Sequence, residues 1–232
     1  MDWLGPLLDV VLPERCPACD AVVRGTGEFC EACALELDLV PEVQCARCGE
    51  PGRHVGGRCA RCRQSPPPFD SARAVFVHGG AAARAIHRLK YEDCPELARP
   101  LAARLQALAR PGPIDWVVPV PLHQERFEAR LYDQAALLAA ALARRVPLPV
   151  RVDVLVRRRA TARQVGQSEA ARERNVEGAF AVRAPLRGER VLLVDDVMTT
   201  GATVREASRV LRGAGAGQVH VLTLARAVRE HL

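Results

Sequence analysis

Eight of the nine cysteines in this 232-residue chain fall between residues 16 and 62 as four Cys-x-x-Cys pairs: Cys16/Cys19, Cys30/Cys33, Cys45/Cys48 and Cys59/Cys62. Ten residues separate the first two pairs and ten separate the last two, so the segment is an internal repeat. A Cys-x-x-Cys knuckle places two thiolates on one turn, and two knuckles complete a tetrahedral zinc shell. The competing reading, four disulfides in an exported domain, needs an export signal. The stretch MDWLGPLLDVVLPERC has no basic leading region and carries Asp2 and Asp9 within its apolar residues, which is unlike one. A redox Cys-x-x-Cys would normally occur once. The expectation is two structural zinc ribbons, each closed by four cysteines, with sequential pairing favoured by the repeat and a cross-braced arrangement left open. Large apolar residues are few here, so metal binding is expected to supply most of the segment's folding free energy.

The second constraint is the run Arg190–Val204, RVLLVDDVMTTGATV. Val191 to Val194 reads as a strand of a covered parallel sheet, delivering Asp195 and Asp196 to its carboxyl end, where open α/β sheets bind ligands. Thr199, Thr200, Gly201, Ala202 and Thr203 then lead into a helix from Val204 to Arg212, whose free N–H groups and positive dipole end suit a phosphate. Two acids beside a phosphate cradle need a reason, and a ribose with vicinal hydroxyls, accompanied by Mg²⁺, supplies one. The plainer reading is an ordinary strand end with a capping threonine. In its apolar strand, acid pair and Thr-Thr-Gly-x-Thr loop, the run is similar to the 5-phosphoribosyl-1-pyrophosphate (PRPP) motif of type I phosphoribosyltransferases.

Between these features, Gln64 to Phe69 (QSPPPF) reads as a semi-rigid connector. It divides an expected zinc-ribbon unit, residues 1–66, from an expected α/β unit, residues 67–232. Ala72–His78 alternates like a strand, and Ala81–Tyr91 has helical spacing ending at Leu89-Lys90-Tyr91. Pro95–Ala109 is mostly helical, with a break or fresh start forced at Pro100. Cys94, alone, carries no assigned role. Ile114–Val120 reads as a core strand ending at Pro121-Leu122-His123, followed by Arg126, Arg130 and a helix over Asp133–Arg145. Leu122, His123 and Arg126 are candidates for the pyrophosphate side, while His123 serves equally well as an exposed or capping loop residue. Val150–Val156 reads as a third strand, opening into a basic loop from Arg157 to Gln164 in which Arg159, Thr161 and Gln164 are lid candidates. Gln218–Leu224 supplies the last strand.

Lys90 is the only lysine among 33 basic residues. Charge is uneven: residues 1–66 hold seven arginines against ten acids, whereas the remainder carries the excess of positive charge behind the net +6. A basic half attracts polyphosphates or nucleic acids. With only 4% aromatic residues, a base-stacking platform is disfavoured. The longest apolar run, Ala135–Ala143, is too short to span a bilayer.

Taken in order, the cysteine pairs, Leu89-Lys90-Tyr91, Val118–His123, the Arg157–Gln164 loop with Asn175 and Phe180, and Val191–Thr203 resemble the ComF family of competence-associated, phosphoribosyltransferase-like proteins, which includes ComFC. The resemblance implies a type I phosphoribosyltransferase fold after a double zinc ribbon, acting on the cytoplasmic side in DNA uptake with an import helicase. Where the family usually has Arg-Gly-Phe-Asn-Gln, this chain has Arg130-Leu131-Tyr132-Asp133-Gln134, and Asp133 is expected to cap the next helix rather than to face pyrophosphate. Three functions follow as rivals. One is a transferase moving the phosphoribosyl group of PRPP-Mg²⁺ to an unknown acceptor. Another is an inactive nucleotide-binding scaffold, and the last is a single-stranded DNA accessory factor.

Overall fold

The computed structural model describes residues 13–23, 29–109, 112–159 and 174–228. Its centre is a four-stranded parallel sheet in the order β1-β6-β5-β2, built from β1 (Ser71–Val77), β2 (Trp116–Pro119), β5 (Arg190–Met198) and β6 (Gln218–Arg226). A short antiparallel pair, β3 (Leu155–Arg157) and β4 (Phe180–Val182), stands apart. Helices α3 (Gly80–Tyr91), α4 (Ala98–Leu105), α5 (Gln124–Arg130), α6 (Gln134–Ala143) and α7 (Ala202–Gly213) follow the strands, and α1 (Glu31–Ala34) and α2 (Ala60–Gln64) belong to the ribbons.

Because strand side chains alternate between faces, β5 serves two cores. Leu192 and Val194 pack on one face with Leu89 of α3, Leu101 of α4 and Leu138 of α6. Val191 and Leu193 pack on the other with Val204, Ala207 and Leu211 of α7. Near-continuous apolar strands are what a sheet covered on both faces requires.

Two expected strands differ. Val150 makes a single parallel bridge to Val117, after which the chain turns away, with Arg151 paired to Asp153 at 2.9 Å and set over the Trp116 ring. Val150–Val156 is therefore not a third core strand, and only Leu155–Arg157 is extended, in the separate pair. The acid-bearing strand is also longer than Val191–Val194. Pairing with β6 continues through Asp195, Val197 and Met198, so both carboxylates sit on the strand rather than beyond it. Pro100 lies in the first turn of α4, which opens at Ala98 after a 3-10 turn, and there its missing N–H is no loss.

The ribbons have no core of their own. Cys16, Cys33, Ala18 and Phe29 join the first sheet core, where Phe29 meets Phe76 edge-to-face at 6.1 Å. Cys45, Cys48, Cys59 and Cys62 join the second, with Phe69. The segment between them hydrogen-bonds along β1, Val40 N to Val75 O and Val77 N to Asp38 O. Thus both ribbons pack along β1, the first at Phe76 and the second at Ala72. Arginines fix them: Arg88 of α3 donates to Cys16 O and Pro17 O, and Arg226 of β6 to Cys48 O while pairing with Glu50. Gly49 permits the second approach, because a Cβ there would fall 2.6 Å from Ala72 O, and its φ of +73° is left-handed.

Shared cores predict shared melting. Stripping metal with a chelator is expected to lower the midpoint of one cooperative transition in scanning calorimetry. A separate low-temperature ribbon peak would contradict this. Phe76→Ala, which empties the Phe29 contact, is expected to cost about 3–5 kcal/mol.

Candidate functional site

The sheet's carboxyl end gathers the chemistry. Adjacent positions on β5 direct Asp195 and Asp196 to opposite faces, and both are buried. Asp196 points toward the α3 side, where Lys90 Nζ lies 2.8 Å from its Oδ1. Its other oxygen, Oδ2, is buried and has no hydrogen-bond partner. Asp195 Oδ1 accepts the Asp196 amide at 2.9 Å. Burial, and then the neighbouring Asp196 charge, push Asp195 far above the usual carboxylate range, against the pull of Lys90. Lys90 is itself buried, which alone would lower its pKa. The Asp196 carboxylate, with help from Asp195, raises it instead and keeps the ammonium charged. His78, just past β1, is pushed down by burial and by Lys90.

Past Met198 the chain runs Thr199-Thr200-Gly201 into α7. Gly201 stands at the N-cap with φ 81°, a left-handed turn that side chains resist, and Thr200 Oγ1 accepts the Ala202 amide at 3.4 Å. Ala202 and Thr203 are the first residues of the helix, so the loop meets the open end of a twelve-residue helix dipole.

Parallel pairing of β2 with β5 sets Pro119 beside Val194, which brings Leu122 and His123 to the β2 flank of the carboxylates. Here Asp133 caps α6 as expected, accepting the Ala136 amide at 3.0 Å. Its Oδ2 also takes the Leu122 amide at 2.8 Å, so that amide is already engaged. Burial raises the Asp133 carboxyl despite these donors. His123 occupies the N-cap of α5, its ring 3.9 Å from Glu125. Tyr132 donates to Leu89 O at 2.7 Å and Arg130 covers the Tyr91 ring, so this flank braces the Leu89–Tyr91 turn that aims Lys90.

Arg126, Arg157 and Arg159 form a basic group near Asp195 and Asp133, and Arg157 is packed over Phe180. Arg159 donates to Asn175 O and Glu177 O, tying together the two ends of the segment between them. Thr161 and Gln164 lie outside the described residues. From the sequence, Lys90 stands out without a partner, and Arg157 only as the first residue of the basic loop. The pattern of the Asp-Asp pair held no sign of either, because both reach the site from remote elements.

The cysteines group as Cys16, Cys19, Cys30, Cys33 and as Cys45, Cys48, Cys59, Cys62, with all four sulfurs of each set within 4.8 Å of one another. This is sequential pairing; the cross-braced alternative is not what forms. Sulfur pairs Cys19–Cys30 and Cys48–Cys59 are each 3.6 Å apart, close to the roughly 3.8 Å edge of a tetrahedron with Zn–S bonds of about 2.3 Å. Burial opposes ionisation of Cys45, but backbone N–H groups of Cys48, Cys59 and Arg47 prevail and lower it to about 6. Cys48 of the same set is pushed up to about 11, chiefly by burial, so the fit to two structural zinc ions rests on the number, type and spacing of the sulfurs.

Two known domain families match parts of the chain. Residues 7–63 match the double zinc ribbon domain and residues 132–231 the phosphoribosyl transferase domain. The class is therefore a zinc ribbon joined to a phosphoribosyltransferase-type α/β domain. DNA utilization protein YhgH of Escherichia coli K12 is 32% identical over 228 residues, covering 94% of this chain and 99% of that protein. Competence protein F of Haemophilus influenzae is 30% identical over 211 residues, covering 86% and 90%. The chain belongs to the family of these two proteins. Among solved structures, the glutamine PRPP amidotransferase of B. subtilis, complexed with ADP and GMP, is 28% identical over 54% of this chain and 26% of its own, with a TM-score of 0.38. Among the described residues no helix is long and apolar enough to cross a membrane.

Two outcomes follow from the site. A carboxyl whose pKa is raised on folding weakens the fold as pH climbs from the unfolded value, near 4, to the folded one. Asp195→Asn is thus expected to raise the melting temperature at pH 7.5 by about 2–4 °C for each ~1 kcal/mol relieved, and the gain should shrink toward pH 4. Leu131, 82% exposed, sits at φ 63° after α5. Leu131→Gly is expected to stabilise by about 1 kcal/mol in chemical denaturation.

Proposed function

We propose that the chain binds PRPP with Mg²⁺ and transfers its phosphoribosyl group to an acceptor. The observation that carries this reading is the buried carboxylate pair at the end of β5 with the Asp196 Oδ2 atom unsatisfied, set directly before a glycine-capped helix N-terminus. A buried acceptor without a donor is costly unless a ligand completes it. Asp195 and Asp196 take the ribose hydroxyls, while the amides and hydroxyls of Thr199, Thr200, Gly201, Ala202 and Thr203 hold the 5′-phosphate. On the β2 flank, His123 and Arg126, with Arg157, face pyrophosphate, beside the Leu122 amide that Asp133 engages. Hard carboxylate oxygens also suit Mg²⁺, which when bound screens the charge of the diphosphate. Arg159, beside Arg157 in the basic group, serves as the lid residue. Lys90 orients Asp196 and keeps the acid pair from carrying two uncompensated charges. Rate enhancement then comes from positioning and from electrostatic stabilisation of a cation-like C1. Residues 1–66 serve as the structural ribbon unit and 67–232 as the binding unit.

The relatives named for DNA utilization and competence support placing this activity in the handling of DNA. A cytoplasmic setting beside an import helicase and single-stranded DNA belongs to the same proposal and rests on the ComF resemblance alone. The excess positive charge beyond residue 66 favours the second reading, a DNA-binding accessory role.

Calorimetric titration of PRPP with Mg²⁺ into wild type and an Asp195→Asn/Asp196→Asn variant tests the first reading. Wild type is expected to bind and the variant to weaken by roughly a hundredfold or more, since two carboxyl groups facing the ribose are removed. Equal binding by both would sink the site. Salt-sensitive binding of single-stranded DNA that survives Asp195→Asn supports the second reading.

A further inference from the structure

A cavity of about 520 Å³ opens between the second ribbon and the Thr199–Gly201 loop. That volume suits a ligand of small-molecule size. Its wall is apolar: Val55 of the ribbon, Phe69 of the connector and Met198 at the end of β5. Its charge is supplied by Arg53 and Arg61 from the ribbon and Arg205 from α7. Arg61 donates to Thr200 O at 3.4 Å, and Arg205 lies over the Phe69 ring. The acid in the cavity, Glu50, is already paired with buried Arg226. A pocket with an apolar wall and a cationic rim takes a flat apolar body bearing anionic groups.

Its position is as informative as its lining. Sheet order puts β2 on one side of the β5 carboxylates and β6 on the other. The pyrophosphate side proposed above is the β2 flank. The cavity lies on the β6 flank, because Met198 pairs with Arg226 and both line it. A nucleophile displacing pyrophosphate in line at C1 must enter opposite the leaving group, which is the direction of the ribbon.

We infer that this cavity is the acceptor subsite, walled by the second zinc ribbon, and that it takes a nucleotide moiety, base against the apolar wall and phosphate toward the arginines. As the site of the acceptor it rests on the phosphoribosyl-transfer reading; as a nucleotide site it stands on its own lining. In the transfer step the acceptor's lone pair forms the bond to C1 while the C1–O bond breaks. The bonding electrons leave with pyrophosphate and the acceptor's proton passes to solvent. The moiety belongs either to a free nucleotide or to the end of a single strand.

The test titrates the zinc-loaded full chain with 5′-thymidylate and, separately, with 5′-phosphorylated tetrathymidylate, using wild type, Arg53→Glu and Arg205→Glu. Zinc content and melting temperature are checked for each, and exposed Arg53 provides the variant least tied to folding. At least one probe is expected to bind wild type, and each charge reversal to weaken it about tenfold or more. Binding of thymidylate identifies a free nucleotide; binding of the tetranucleotide alone identifies a strand end. No binding of either probe to wild type, or wild-type affinity in both variants, overturns the proposal. PRPP-Mg²⁺ is titrated into the same proteins as a separate readout. Probe binding that the reversals abolish, in a chain that ignores PRPP, keeps the nucleotide site and removes only its place in transfer.

Discussion

Two adjacent carboxylates on a buried strand set the terms for much of this molecule. Removing one carboxylate from water is expensive, and removing two side by side adds their repulsion. Strand geometry gives the first relief by sending Asp195 and Asp196 to opposite faces of the sheet. Lys90 gives the second, as a buried ammonium whose own desolvation is offset by the same acids. The remaining imbalance shows in Asp195, held well above its ordinary range, and in the unmatched Asp196 oxygen. Stored imbalance of this kind is common where a ligand completes the electrostatics.

Much of the surrounding structure keeps that arrangement in place. Tyr132 and Arg130 hold the turn on either side of Lys90, and Asp133 fastens the β2 loop to α6. In doing so Asp133 occupies the Leu122 amide, so the β2 flank of this chain differs from one in which that amide is open. Leu131 shows the cost of the same local sequence, since it sits in a backbone conformation that glycine adopts without strain.

What could be read from the sequence follows distance along the chain. The zinc tetrads are periodic, so their ligands and their sequential grouping were visible in the Cys-x-x-Cys spacing. The acid pair and its threonine–glycine loop are contiguous, and the parallel sheet is announced by their apolar strand. Asp133 as a helix cap was equally local. Lys90 meeting Asp196 was not legible, because α3 and β5 are joined by tertiary packing alone. Nor was the placement of one cysteine tetrad in each core, since the connector hides which face each ribbon will cover. Val150–Val156 misled for a related reason. Its apolar alternation suits a strand, but the Arg151–Asp153 pair turns the backbone out of register after one bridge.

The way the ribbon segment lines β1 also governs how this sheet can meet other chains. An outermost strand ordinarily offers a row of unpaired amides and carbonyls on which a foreign strand can grow. Along β1 that row is already taken up by the Asp38–Val40 segment, which joins the two ribbons. Growth of the sheet by strand addition is thus closed on that side. The cysteine repeat that looks like a separate module in the sequence thus carries, in the folded molecule, the cover of one edge of the sheet.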